Sequence, residues 1–69
     1  MAIKTLTRFG DKVRKERLAQ GYSQEELAER AGVHRTYIGM IERGEKNITL
    51  LNITKIADAL RVKPRDLVD

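Results

Sequence analysis

The chain has 69 residues, which is enough for one small domain with a single core. Its formal net charge of +4 favours a surface that faces a polyanion, although ordinary solubility charge explains the excess equally well. The sequence has no cysteine, one histidine and no apolar run longer than three residues. These features exclude a disulfide, a thiolate metal site and a membrane span, and they favour a cytoplasmic protein without a metal.

Apolar residues recur at helical spacing throughout the chain, which predicts an all-α fold of five short helices. The first helix is expected over residues 6–20, with Leu6, Phe9 and Val13 on one stripe. Gly10 lies inside this helix, where it costs up to ~1 kcal/mol relative to alanine but permits close packing.

The second helix is predicted to begin at Ser23, because Glu26 follows three residues later and completes a capping box. Its apolar face consists of Leu27, Ala28 and Ala31. Helix ends are expected at three glycines, because glycine adopts the left-handed cap conformation freely. These are Gly21, Gly32 and Gly44.

The third helix is predicted over residues 34–43, anchored by Ile38 and Ile41. Thr49 is a suitable N-cap for the fourth helix, and Pro64 suits the first position of a short fifth helix. The apolar stripe predicted for the fourth helix consists of Leu50, Ile53, Ile56, Ala57 and Leu60.

The second and third helices, about residues 24–43, are joined by Ala31-Gly32-Val33. The small alanine lets the helices approach, the glycine makes the turn and the valine fills the joint. This pattern predicts a helix-turn-helix, whose second helix places its N-terminal turn in a DNA major groove. Residues 1–69 are expected to form this one domain.

The stretch "GYSQEELAERAGVHRTYIGMIERGEKNITLLNITKIADAL" resembles the phage-repressor (Cro-type, XRE) helix-turn-helix family, and the resemblance covers about residues 9–68. It implies a lambda-repressor-like fold and a double-stranded DNA operator as partner. A narrower resemblance, over "RTYIGMIERGEKN", is to the controller proteins of restriction–modification systems.

The resemblance and the helical spacing together predict three base-reading residues: Arg35, Thr36 and Met40. Arginine can grip guanine O6 and N7 with two hydrogen bonds, while threonine can use its hydroxyl or its methyl group. Met40 offers only apolar contact. The alternatives are a solvated surface arginine at position 35 and partial core packing at position 40.

Phosphate contacts are expected on either side of the third helix. Gln24, with Ser23 as its cap, heads the second helix, where free N–H groups and the helix dipole favour an anion. Tyr37 either binds a phosphate or stacks beneath the helix. The remaining candidates follow the third helix: Arg43, Lys46 (a solvated loop lysine in the alternative reading) and Asn47.

Glu42 is unfavourable at a helix C-terminus, because its charge opposes the helix dipole there. The family resemblance implies an ion pair with Arg17, which would tie the first helix to the third and give Glu42 a structural role.

So small a domain contacts few base pairs alone, so useful specificity calls for two copies on the DNA. Three apolar residues near the end of the domain and on the fourth helix suggest where the copies meet. Leu51 lies off the stripe of the fourth helix by about a hundred degrees of rotation. Leu67 and Val68 form a second apolar pair, of which the core needs at most one. We therefore expect a homodimer formed through Leu51, Leu67 and Val68, although an off-stripe leucine is often simply tolerated.

The sequence predicts no enzyme, because its one serine is a cap and the adjacent Glu25 and Glu26 face apart on a helix. No cofactor or small-molecule ligand is indicated. The expected function is a dimeric transcription regulator on a palindromic operator, either a restriction–modification controller or a phage-type repressor. The alternative is an antitoxin or coactivator-type protein-interaction module on the same fold.

Overall fold

The computed structural model describes residues 2–68, and this part of the chain is all-α, as predicted. The predicted domain limits, Met1 and Asp69, lie outside the described residues. No helix within residues 2–68 is long and apolar enough to cross a membrane. The helices are α1 (Ala2–Ala19), α2 (Gln24–Ala31), α3 (Arg35–Glu42), α4 (Leu50–Leu60) and α5 (Pro64–Val68).

The predicted caps account for where these helices begin and end. Ser23 Oγ accepts a hydrogen bond of 3.0 Å from the backbone N–H of Glu26, and the Glu26 carboxylate accepts one from the Ser23 N–H. The Thr49 hydroxyl caps α4 by accepting a hydrogen bond from the backbone N–H of Asn52. Helix α1 begins at Ala2 rather than at residue 6, because no glycine or proline interrupts residues 2–5 before the apolar stripe starts.

The core fills the space between the five helices of residues 2–68, and α4 packs on α2 and α5. Two predicted positions are wrong. Leu50, the first residue of α4, is 77% exposed, so the buried part of the α4 stripe begins after it. Leu67 is fully buried within the monomer, so it cannot form a dimer contact. The buried apolar residues are Phe9, Val13, Leu27, Ala28, Ala31, Ile38, Ile41, Ile56, Ala57, Leu60 and Leu67.

Gly10 allows α1 to lie directly against the last turn of α3. A Cβ atom at this position would lie 2.3 Å from the carbonyl oxygen of Ile41 and 2.8 Å from that of Glu42. These are backbone atoms, so they cannot yield by a change of rotamer. The absence of a side chain at Gly10 therefore sets how closely α1 supports α3.

Candidate nucleic-acid interface

Helix α3 follows α2 after a sharp turn, and its burial differs from one face to the other. Gly32 ends α2 in the left-handed conformation, with φ of 74°, and so redirects the chain. Ile38 and Ile41 are buried in the core, whereas Arg35 and Thr36 in the first turn are exposed. The body of the domain thus holds α3 and leaves its N-terminal turn free to enter a groove.

His34 is the N-cap of α3, a role that the sequence prediction missed. Its ring Nδ1 accepts a hydrogen bond of 3.1 Å from the backbone N–H of Thr36. Because Nδ1 is the acceptor, the neutral ring carries its hydrogen on Nε2. The available signal was the position of His34 directly before the apolar spacing of α3, although Ser, Thr, Asp and Asn are the usual residues there.

Arg35 has one weak contact within the protein. Its Nη1 lies 3.9 Å from Oε1 of Glu25, and the two side chains are 67% and 77% exposed. An exposed pair at this distance contributes little to stability. The guanidinium is therefore free to exchange this carboxylate for a base edge.

Tyr37 lies in the same turn but is half-buried and packs against the core. Its hydroxyl oxygen accepts a hydrogen bond of 2.8 Å from Nδ2 of Asn52 on α4. The ring therefore packs beneath the helix, while its hydroxyl is hydrogen-bonded. Asn52 was not predicted, because no local pattern links residues 15 apart on two different helices.

At the other end of α3, the Arg17–Glu42 ion pair implied by the family resemblance is present. Arg17 Nε lies 2.6 Å from Glu42 Oε2, and Arg17 Nη2 lies 2.9 Å from Glu42 Oε1. Both residues are buried, and the two hydrogen bonds raise the pKa of Arg17 despite the opposing effect of burial. Arg17 also donates to the carbonyl oxygen of Tyr22, so the pair joins α1, α3 and the start of the loop before α2.

Gln24 belongs to the same network, which the sequence did not indicate. Its Nε2 donates a hydrogen bond of 3.1 Å to Glu42 Oε1. Within residues 2–68, no buried side-chain nitrogen or oxygen lacks a hydrogen-bond partner. The buried negative charge of Glu42 is thus compensated by hydrogen-bond donors from both α1 and α2.

Two of the predicted phosphate contacts meet over Gly39 of α3. A Cβ at Gly39 would lie 3.2 Å from Nη1 of Arg43 and 3.5 Å from Oε1 of Gln24. Arg43 also forms an ion pair of 3.1 Å with Glu45, and both side chains are more than half exposed. The two side chains therefore share one surface beside the exposed face of α3.

The remaining predicted site residues lie around this surface. Ser23 is exposed, and its oxygen already accepts the capping bond. Lys46 and Asn47 are exposed in the loop between α3 and α4, and Met40 is half-buried on α3. Among residues 2–68, no group of three or more histidine, aspartate or glutamate side chains could hold a metal ion.

The chain belongs to the HTH_3 helix-turn-helix family, whose model matches residues 13–67. This confirms the family resemblance found in the sequence.

The chain is similar to control proteins and to transcription regulators. It is 55% identical over 62 residues to control protein C.BamHI of Bacillus amyloliquefaciens, which covers 88% of this chain and 76% of that protein. The restriction–modification controller protein C.AhdI from Aeromonas hydrophila has a similar structure, with a TM-score of 0.88, 48% identity and coverage of 90% of this chain and 94% of that chain. The biofilm regulator SinR in complex with DNA matches with a TM-score of 0.85, 35% identity and coverage of 88% and 98%.

Proposed function

We propose that this protein is a sequence-specific DNA-binding transcription regulator of the restriction–modification controller type. The observation that carries the proposal is the exposed first turn of α3, in a domain 55% identical to a control protein. Residues 1–69 would act as one DNA-binding domain in the cytoplasm, where the operator DNA lies.

Base recognition is assigned to the first turn of α3. Arg35 would release Glu25 and donate two hydrogen bonds to guanine O6 and N7, a contact that discriminates well between bases. Thr36, exposed beside it, would contact the neighbouring base through its hydroxyl or methyl group. Met40 would add an apolar contact one turn further along the helix.

Phosphate binding is assigned to the surfaces that flank α3. The N-terminus of α2 presents Ser23 and Gln24, where free N–H groups favour an anion. Arg43 would exchange Glu45 for a phosphate, and Lys46, Asn47 and the hydroxyl of Tyr37 would make further contacts. Contacts of this kind set the register of the protein on the duplex without reading sequence.

A homodimer would bring two copies of α3 to one operator. Leu51 and Val68 are 65% and 52% exposed, and Leu50 adds a third exposed apolar side chain in the first turn of α4. An isologous dimer through these residues would bury them and separate the recognition helices by roughly 34 Å, one turn of DNA.

Selection of binding sites from a random duplex pool tests both DNA reading and symmetry. We expect an enriched two-fold-symmetric motif with half-sites about one helical turn apart. Failure to enrich any motif would refute sequence-specific binding, and an unsymmetrical motif would refute the dimer on DNA.

Sedimentation measurements at micromolar concentration then test the dimer surface. Leu51→Lys should shift the protein towards monomer, whereas Leu18→Lys should not, since Leu18 is a comparably exposed leucine on α1, 54% accessible. Equal masses for the wild type and both variants would exclude Leu51 from the interface.

A further inference from the structure

Asn52 holds the hydroxyl of Tyr37 in a way that determines how this group can be used. The Asn52 Nδ2 donates and the Tyr37 oxygen accepts, at 2.8 Å. A phenolic hydroxyl has one hydrogen to donate. Since its oxygen faces the donor of Asn52, that hydrogen points away from Asn52. Within residues 2–68, no recorded hydrogen bond uses it.

Both partners of this bond are held in place by their surroundings. Tyr37 is half-buried and packs against the core, so its ring cannot swing freely. Asn52 lies in the first turn of α4, where its backbone N–H donates to the Thr49 hydroxyl at 3.1 Å. The side-chain amide thus approaches the tyrosine from a capped and ordered helix end.

We propose that Asn52 is a positioning residue for DNA binding, which acts through Tyr37. By occupying the oxygen of the hydroxyl as an acceptor, it makes Tyr37 a hydrogen-bond donor towards DNA. Such a donor selects acceptor groups, either a phosphate oxygen or a base acceptor such as guanine O6 or N7. This inference rests on the proposed function, because it assumes that the first turn of α3 meets DNA.

Asn52 lies next to a residue of the proposed dimer patch. Asn52 follows Leu51, which is exposed and lies about a hundred degrees around the same helical turn. The first turn of α4 therefore contacts α3 through Asn52, and the preceding residue, Leu51, belongs to the proposed dimer patch.

Five variants test the inference: the single variants Asn52→Ala, Asn52→Asp and Tyr37→Phe, and each of the two Asn52 variants combined with Tyr37→Phe. Affinity is measured on the duplex selected by the wild type and on a mixed-sequence duplex of equal length. We expect Tyr37→Phe to weaken binding about tenfold, since one hydrogen bond to DNA is lost. Asn52→Ala should weaken it about threefold or more, because the hydroxyl is no longer directed.

The combined variants carry the decisive comparison. In the Tyr37→Phe background, Asn52→Ala should have no further effect on DNA affinity. Asn52→Asp reverses the bond, since a carboxylate only accepts, so the tyrosine must donate inward. It should therefore weaken binding more strongly with tyrosine present than in the Tyr37→Phe background, where only the added charge acts.

Urea unfolding of every variant separates a loss of folding from a loss of positioning. Equal losses on both duplexes identify a phosphate oxygen as the acceptor, and a loss confined to the selected duplex identifies a base edge. Costs of Asn52→Ala that are the same in both backgrounds, or an unchanged affinity, overturn the inference while the proposed function stands. Absence of wild-type binding to either duplex would refute the proposed function and this inference with it.

Discussion

The two ends of α3 differ sharply although they belong to one helix of eight residues. At the C-terminal end, Glu42 is buried and bonded to Arg17 and Gln24, and Gly10 brings the backbone of α1 against it. At the N-terminal end, Arg35 and Thr36 are exposed, and the contact of Arg35 with Glu25 spans 3.9 Å.

From this difference we expect the C-terminal end of α3 to anchor the helix and the N-terminal end to contact DNA. A buried charge is costly unless it is paired and hydrogen-bonded, so the C-terminal end has little tolerance for substitution. Exposed residues without such partners usually change stability by no more than about 0.5 kcal/mol when substituted. Substitutions at the two ends should therefore produce two distinct kinds of defect.

The largest effect is expected from Glu42→Ala. It leaves Arg17 buried without its partner, and breaking a buried pair in this way costs roughly 3–5 kcal/mol. Urea unfolding of Arg17→Ala, Glu42→Ala and the double variant should give an interaction energy above about 0.5 kcal/mol. Sucrose in every sample would keep the single variants folded enough to compare. Additive single costs would show that the pair does not hold α1 to α3.

A smaller and different effect is expected from Arg35→Ala. Binding to the selected duplex should weaken by ~1–3 kcal/mol and base preference should relax at one or two positions, since a bidentate contact is lost. The urea midpoint should stay close to that of the wild type. Arg14→Ala, which removes the same charge from an exposed position of α1, is the matched control. Identical base preferences in Arg35→Ala and wild type would contradict a reading role.

The smallest effect is expected from Arg43→Ala, beside the C-terminal end. Binding to all sequences should weaken to a similar extent, and the slope of log K against log salt should flatten by about one unit. Gln24→Ala removes an uncharged contact from the same surface and should leave the slope nearly unchanged. A loss in Arg43→Ala that depends on sequence would move Arg43 from the phosphate surface to the base-reading surface.

Local patterns predicted the frame of this domain. Three signals are present in the structure, and each spans no more than about four residues: the capping box of Ser23 and Glu26, the turn at Gly32 and the Thr49 cap. Long-range polar contacts were different. The hydrogen bonds of Asn52 with Tyr37 and of Gln24 with Glu42 join separate helices, and no spacing in the sequence predicts them.

The errors at Leu50 and Leu67 have different physical causes. A helical stripe tells which face of a helix turns inward, but it does not tell how far the neighbouring helices extend along that face. Leu50 lies at the N-terminal end of the α4 stripe, where it is 77% exposed and therefore not packed by the other helices. Leu67 lies in a helix of five residues, too short to show a stripe, and it is fully buried.

The close approach at Gly10 fixes the direction in which α3 points. Carbonyl oxygens of α3 contact α1 at a residue that has no side chain. No side-chain rotation at this point can therefore change the position of α3 relative to α1. The pointing angle of α3 should therefore be stiff, with most of the thermal motion confined to the side chains of its first turn. In a two-fold-symmetric dimer, any deviation in the angle of α3 occurs in both subunits. A stiff attachment of α3 would therefore narrow the range of half-site spacings to which such a dimer can bind.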